Sequence, residues 1–295
     1  MRVIFDIVRD GLSAINTASS ALARAQQQVA SGRRINGASD DPRGTQLAIA
    51  ERATMGAIDA YTKTSDAAAV RLASADSVLT AIADKLTSAM TTALSAQGTQ
   101  ATDASRAASA QSLRSLRDAL VGDINTTFNG NYLFSGTNST TQTYAQVGGV
   151  WTYQGNAATA QVEVESGRTV SISFNGQAIV QGSDSTDVFT ALDDLADAVE
   201  AGDSDGITAG LDALQRAFDR AQRAQGLLGA DEQSADAATA RLSTLRTASE
   251  ARRSKLEDAN MAEAITQLTQ ADNAYQAALG AVSTAERQSL LDYLR

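Results

Sequence analysis

The chain has no cysteine, no histidine and a single proline among its 295 residues. Without cysteine there can be neither a disulfide nor a thiolate metal site. Without histidine the commonest general base and metal ligand is missing, so Ser-His-Asp and Cys-His catalytic sites are impossible. Lysine occurs only at Lys63, Lys85 and Lys255, and aromatic residues make up 4% of the chain. Cationic groups are outnumbered, 24 Lys and Arg against 34 Asp and Glu, for a net charge of −10. This balance argues against nucleic acid, whose affinity rests on neutralising phosphates, and against an anionic membrane surface. No apolar run approaches the roughly 20 residues of a membrane span. The first residues, MRVIFDIVRDG, are broken by Asp6 and Arg9 and lack the apolar core and cleavage site of a secretory signal peptide. The protein is expected to stay in the cytoplasm or to leave by a route that needs no cleaved signal.

Other chemical signatures are missing too. No serine lies three residues before a lysine, and there is neither a phosphate loop nor a dinucleotide glycine fingerprint. The adjacent carboxylates Asp40-Asp41 and Asp193-Asp194 could in principle hold a metal, but they read better as a helix start and a solvated helix face. No catalytic residue, cofactor or metal is expected. Arg33-Arg34 reads as a solvated loop or an intersubunit ion pair. Asn125-Thr126-Thr127 and Asn138-Ser139-Thr140 match the glycosylation pattern, and no function is assigned to them.

What is present is helical periodicity around one hinge, Ala30 to Ala50, reading ASGRRINGASDDPRGTQLAIA. It holds the turn residues Gly32, Asn36 and Gly37 and the proline, Pro42. Asp41 before Pro42 predicts a helix start, because the Asp carboxylate accepts first-turn N–H groups and Pro at the first position loses no bond. Upstream, Ile15, Leu22 and Val29 recur every seven residues with Ala18 and Ala25 between them, a coiled-coil seam too short to stand alone. Downstream, Ile58, Ser65, Leu72, Leu79, Leu86 and Ala93 mark one heptad position of a helix from Pro42 to about Ala96. Tyr61, Ala68, Ala75, Ile82 and Ala89 mark the other. Such a helix is roughly 80 Å long at about 1.5 Å per residue.

After a loop at 97–102, with Asp103 as the candidate cap, a third helix carries Leu113, Leu116, Leu120 and Ile124. The period then changes. Val147-Gly148-Gly149-Val150, Ser166-Gly167 and Asn175-Gly176 are hairpin signals among alternating Val, Ile and aromatic residues. They predict a small antiparallel β module, with Trp151 in its core. Helices resume from Asp187 to Gly202, from about Asp205 to Leu228, and from Asp231 to the end. In the last, the step from Leu256 to Met261 breaks the heptad phase and predicts a kink.

The fold class that follows is mainly α: a long coiled-coil helical rod built from N- and C-terminal segments, with an inserted antiparallel β module. Residues 1–41 and 240–295 form a terminal coiled-coil domain, 42–128 and 186–239 a helical rod, and 129–185 the β module. The terminal seam is expected at Ile15, Leu22, Val29, Ile265, Leu268, Leu279 and Val282, with Gly32, Asn36, Asp41 and Pro42 as hinge and helix start. Exposed seams of this kind are expected to order on assembly.

The motif SGRRINGASDDPRGTQLAIA resembles the N-terminal motif of bacterial flagellins and flagellin-like hook-associated proteins. NGNYLFSGT (129–137), the segment 153–180 and the C-terminal SLLDYL (289–294) are similar to the hook-associated protein 3 branch of that family. The resemblance implies a structural, non-enzymatic role at the hook–filament junction, between hook-associated protein 1 and the first flagellins. It implies extracellular localisation, helical self-assembly, export through the flagellar export apparatus without a cleaved signal, and an export chaperone. A short flagellin forming the filament itself, or a secreted coiled-coil adhesin or tip protein, are the alternatives.

Overall fold

A computed structural model describes residues 2–98 and 101–293, with the side chains of 9–98 and 101–284. Among these residues the order is α1 (Arg2–Ser31), α2 (Pro42–Ala96), α3 (Asp103–Ile124), β1 (Thr127–Phe128), β2 (Asn131–Tyr132), β3 (Tyr144–Val147), β4 (Val150–Tyr153), β5 (Gln161–Glu165), β6 (Arg168–Ser171), α4 (Gly176–Val180), α5 (Val188–Ala201), α6 (Ser204–Glu257) and α7 (Met261–Tyr293). The chain forms two compact units: Met1–Ile58 with Thr244–Arg295, and Asp59–Ser243. No helix of the described residues is long and apolar enough to cross a membrane.

The second unit has a core built from the predicted stripe of α2. Ser65, Leu72, Leu79, Leu86 and Ala93 are buried, as are Ala68, Ala75, Ile82 and Ala89. From Leu72 to Ala93 they meet Leu113, Leu120 and Ile124 of α3, Leu192, Leu195 and Val199 of α5, and Leu214 of α6. Each buried leucine contributes on the order of 2 kcal/mol. Ser65 is the polar exception, and its hydroxyl is satisfied by donating to the Ala235 carbonyl at 3.0 Å. Helices α3 and α5 run antiparallel. Arg114 binds Asp197 and Glu200 at 2.8 and 2.9 Å, and Arg117 binds Asp193, one of the two candidate metal carboxylates.

Four local expectations are corrected. Thr102, not Asp103, caps α3, its hydroxyl accepting the Ser105 N–H at 3.2 Å. Asn175-Gly176 is not a hairpin turn. Asn175 caps α4 by accepting the Gln177 N–H at 3.0 Å, because an Asn side chain serves a helix start as readily as a turn. The predicted break near 229–231 is absent, and α6 runs unbroken from Ser204 to Glu257. Gly226 and Gly229 cost this helix about 1 kcal/mol each against alanine, and burial of Leu228, Ala235 and Ala238 offsets that. The phase break at 256–261, by contrast, is a full helix end, with Asn260 accepting the Ala262 N–H at 3.2 Å to start α7.

The β segment is not one sheet but three separate antiparallel hairpins, β1–β2, β3–β4 and β5–β6. With strands this short, each buries side chains against helices instead of extending the next. Val164 and Val170 of β5–β6 pack on Ala68 and Ala238. In β3–β4, Tyr144 and Trp151 lie 5.2 and 6.0 Å from the Phe189 ring of α5, so Trp151 is half-buried packing. Asn125 clamps this hairpin by giving to and taking from the Tyr144 backbone at 3.0 and 2.9 Å, which engages the side chain of the first glycosylation pattern.

Candidate assembly site

In the first unit the hinge and the α6–α7 break meet. Gly32, at φ 67°, ends α1 in the left-handed conformation that glycine adopts without strain, and its N–H bonds the Gln28 carbonyl at 2.9 Å. The chain then pairs across: the Arg34 N–H donates to the Glu257 carbonyl at 2.7 Å and the Ala259 N–H to the Gly32 carbonyl at 2.9 Å. Arg33 and Asp258 form an isolated β-bridge. The Arg34 guanidinium donates to the Leu256 carbonyl at 2.8 Å and lies 3.3 Å from Asp41. Arg34 is therefore engaged inside the chain rather than left as a free patch.

Gly32, Asn36, Gly37 and Asp41 each have a partner here. Asn36 and Gly37 both give their N–H to Asp40, at 3.0 and 2.9 Å. Asp41 accepts the Gly44 N–H at 2.8 Å and Pro42 opens α2. That backbone bond, helped by Arg34, holds the Asp41 carboxyl below the ordinary carboxylate range. Asp40-Asp41 is thus spent on backbone N–H groups. What the sequence did not signal is Glu257. This carboxylate is 2% exposed, with Arg52 at 2.6 Å and Arg253 at 3.5 Å. Beside it Arg252 donates to Glu51 at 2.8 Å and holds that carboxyl low.

Above this joint α1 and α7 pair antiparallel, with Gly11 against Val282 and Gly32 against Ala259. A run of covered positions steps by four and three on both helices, 11, 15, 18, 22, 25, 29 and 264, 268, 271, 275, 278, 282, flanked by half-buried Ala21, Gln28 and Asp272. The register set by Gly11 and Val282 places Ile15 level with Ala278, Ala18 with Tyr275, Leu22 with Ala271, Ala25 with Leu268 and Val29 with Ala264. Every layer thus pairs a large residue with a small one, a match that closes the seam within a single chain instead of waiting for assembly.

The seven expected seam residues divide in two. Ile15, Leu22, Val29, Leu268 and Val282 line the α1–α7 seam. Ile265 and Leu279 lie outside it, 52% and 43% exposed, as does Leu12 at 54%. The outer face has one further property. Residues 11–31 and 264–284 hold one charged side chain each, Arg24 and Asp272, although 20% of the chain is charged.

Residues 10–139 match the bacterial flagellin N-terminal helical region and residues 211–294 match the bacterial flagellin C-terminal helical region. Together they cover both ends of the molecule and its joint. The chain belongs to the flagellin family. Its fold is that of flagellar hook-associated proteins. A flagellar hook-associated protein from Vibrio parahaemolyticus is 22% identical over 74% of this chain and 100% of its own, with a TM-score of 0.70. FlgL of Xanthomonas campestris is 18% identical over 69% and 99%, with a TM-score of 0.62. The flagellar junction protein FlgL from Legionella pneumophila is 12% identical over 63% and 98%, with a TM-score of 0.56. No curated protein sequence matches. As a flagellin-family member the chain is a structural component of the flagellum, not an enzyme.

Proposed function

We propose that this flagellin-family chain is the hook–filament junction protein, joining a hook-associated protein 1 layer to the first flagellins by self-assembly of its terminal helices. The observation that carries the reading is the outer face of α1 and α7. Over 11–31 and 264–284 it is solvent-facing in the single chain, carries only Arg24 and Asp272 as charged side chains, and is dotted with Leu12, Ile265 and Leu279. Burying such a face between copies desolvates almost no ionised group, whereas burying a typical charged helix surface costs several kcal/mol per unpaired ion. Copies that stack through different faces of one subunit propagate as rings or helical tubes rather than closing as dimers. The seam residues Ile15, Leu22, Val29, Leu268 and Val282 shape this face from within, and Ile265 and Leu279 meet the neighbouring copy. Export through the flagellar apparatus, escorted by a chaperone, suits a chain without disulfides and with one proline, since proline isomerisation is slow.

Immunogold labelling of isolated flagella tests the position. A thin band at the hook end supports the junction reading. Label along the whole filament replaces it with a short flagellin. Removing residues 265–295 is expected to abolish incorporation while the unit at 59–243 keeps its fold. Incorporation of the truncated chain overturns the role given to α7.

A further inference from the structure

We infer that the joint between Arg34 and residues 256–259, not the seam itself, fixes the register of the α1–α7 pair, and that the pair has a second register seven residues away.

The inference comes from the seam's own repetition. Along α1 the residues of the four-three run read Gly, Ile, Ala, Leu, Ala, Val, and along α7 they read Ala, Leu, Ala, Tyr, Ala, Val, with half-buried Ala21, Gln28 and Asp272 at the edge of the run. Small and large alternate on both helices, so the size pattern repeats every seven residues. A slide of three or four residues sets Leu22 against Leu268 and Ala18 against Ala271, so layers are alternately overpacked and hollow, and both faults are costly. A slide of seven restores the match. In one direction Gly11 meets Tyr275, Ile15 meets Ala271, Ala18 meets Leu268 and Leu22 meets Ala264. In the other, Ala18, Leu22, Ala25 and Val29 meet Val282, Ala278, Tyr275 and Ala271. Either keeps four large-to-small layers.

Charge does not select between these registers, because Arg24 and Asp272 are the only charged side chains in the two stretches. Coiled coils are commonly kept in one register by polar or charged pairs, and none is seen across the seam among the described residues of 11–31 and 264–284. What distinguishes the observed register is its end. The Arg34 N–H bond to Glu257, the Arg34 side-chain bond to Leu256, the Ala259 bond to Gly32 and the Arg33–Asp258 bridge all require residue 32 to lie beside residue 259. The ten residues between α1 and α2 supply slack for a slide of about 10 Å, seven residues at about 1.5 Å each. The joint is therefore a lock on a sliding pair.

The chain's lack of cysteine makes the test clean. Ala271→Cys is combined with Leu22→Cys, which reports the observed register, or with Ile15→Cys or Val29→Cys, which report the two slides. In the otherwise unaltered chain, oxidation is expected to cross-link only the 22–271 pair. With the joint opened by Arg34→Pro and Ala259→Pro, which remove both backbone donors and the guanidinium, the 15–271 or 29–271 disulfide is expected to rise at least tenfold. An opened chain that still cross-links only 22–271 overturns the inference, as do slid disulfides at equal yield in the locked chain. If that double substitution separates the helices so that no pair cross-links, Arg34→Ala with three glycines inserted after Ala38 is read in the same way. Absence of slid disulfides there too overturns the inference.

Discussion

Gly11 and Val282 touch so closely across the α1–α7 seam that a Cβ on Gly11 would stand 2.7 Å from Val282 Cγ2. Replacing this glycine by alanine has two opposed effects, a helix-propensity gain of about 1 kcal/mol and overpacking of about 1–3 kcal/mol. Gly11→Val tips the balance, because a β-branched residue recovers less propensity and intrudes further. Amide hydrogen exchange across α1 is expected to accelerate, with α3 and α5 unchanged.

Gly44 gives the same argument at the joint. It lies inside the first turn of α2, where alanine is ordinarily the better helix former. Here an added Cβ would lie 2.6 Å from Ile35 Cδ1 and would crowd the Asp41 carboxylate that caps the turn. Gly44→Ala is therefore expected to destabilise by about 1–2 kcal/mol, reversing the usual sign. Chemical denaturation followed by far-UV circular dichroism reads the sign directly.

The stripes of α2 were legible because about eight successive turns repeat one period, and the buried positions from Ser65 to Ala93 follow it. The helix starts at Asp41-Pro42 and Asp187 were legible because capping is local chemistry. The joint was not. Arg52 and Glu257 are 205 positions apart and neither lies on a periodic stripe, so nothing near either residue announces the pair. The α7 seam was half legible for a different reason. Its true covered face carries Ala264, Ala271 and Ala278, which are quiet in a hydrophobic pattern, whereas exposed Ile265 and Leu279 stand three residues from Leu268 and Val282 and imitate the stripe. Asn175-Gly176 was ambiguous because one dipeptide serves both a turn and a cap.

Asp184 makes the second unit acid-sensitive. Arg220 at 2.6 Å and Arg216 at 3.2 Å hold its carboxyl below the ordinary value. A folded-state pKa below the unfolded value of about 3.9 gives stability that is complete above that value and is lost as pH falls through the folded pKa. The urea midpoint is expected to drop between pH 5 and pH 3. Asp184→Asn should lower the midpoint at pH 7 and flatten that part of the profile.

Glu232 has the opposite sign. Burial, with Asp76 and Asp236 nearby, pushes its carboxyl up. Its charged form is disfavoured in the fold, so at neutral pH it subtracts stability, and protonation restores it. Glu232→Gln is expected to raise the thermal midpoint at pH 7 and to leave it nearly unchanged at pH 4. A lowered midpoint at pH 7 would contradict the placement.

Ile265 and Leu268 are three residues apart on α7, yet a charge should act differently at each. Ile265 is 52% exposed, so Ile265→Asp is expected to leave the stability of the single chain within about 0.5 kcal/mol. Leu268 lines the seam level with Ala25, so Leu268→Asp loses a half-buried leucine and seats a carboxylate without a partner, at a cost on the order of 2 kcal/mol. Both substitutions should block incorporation into flagella, one by spoiling the face offered to a neighbouring copy and the other by opening the pair that shapes it. Denaturation curves and a motility assay on the same two variants separate the routes. If Ile265→Asp assembles normally, the outer face of α7 is not where copies meet, and the seam alone would have to account for incorporation.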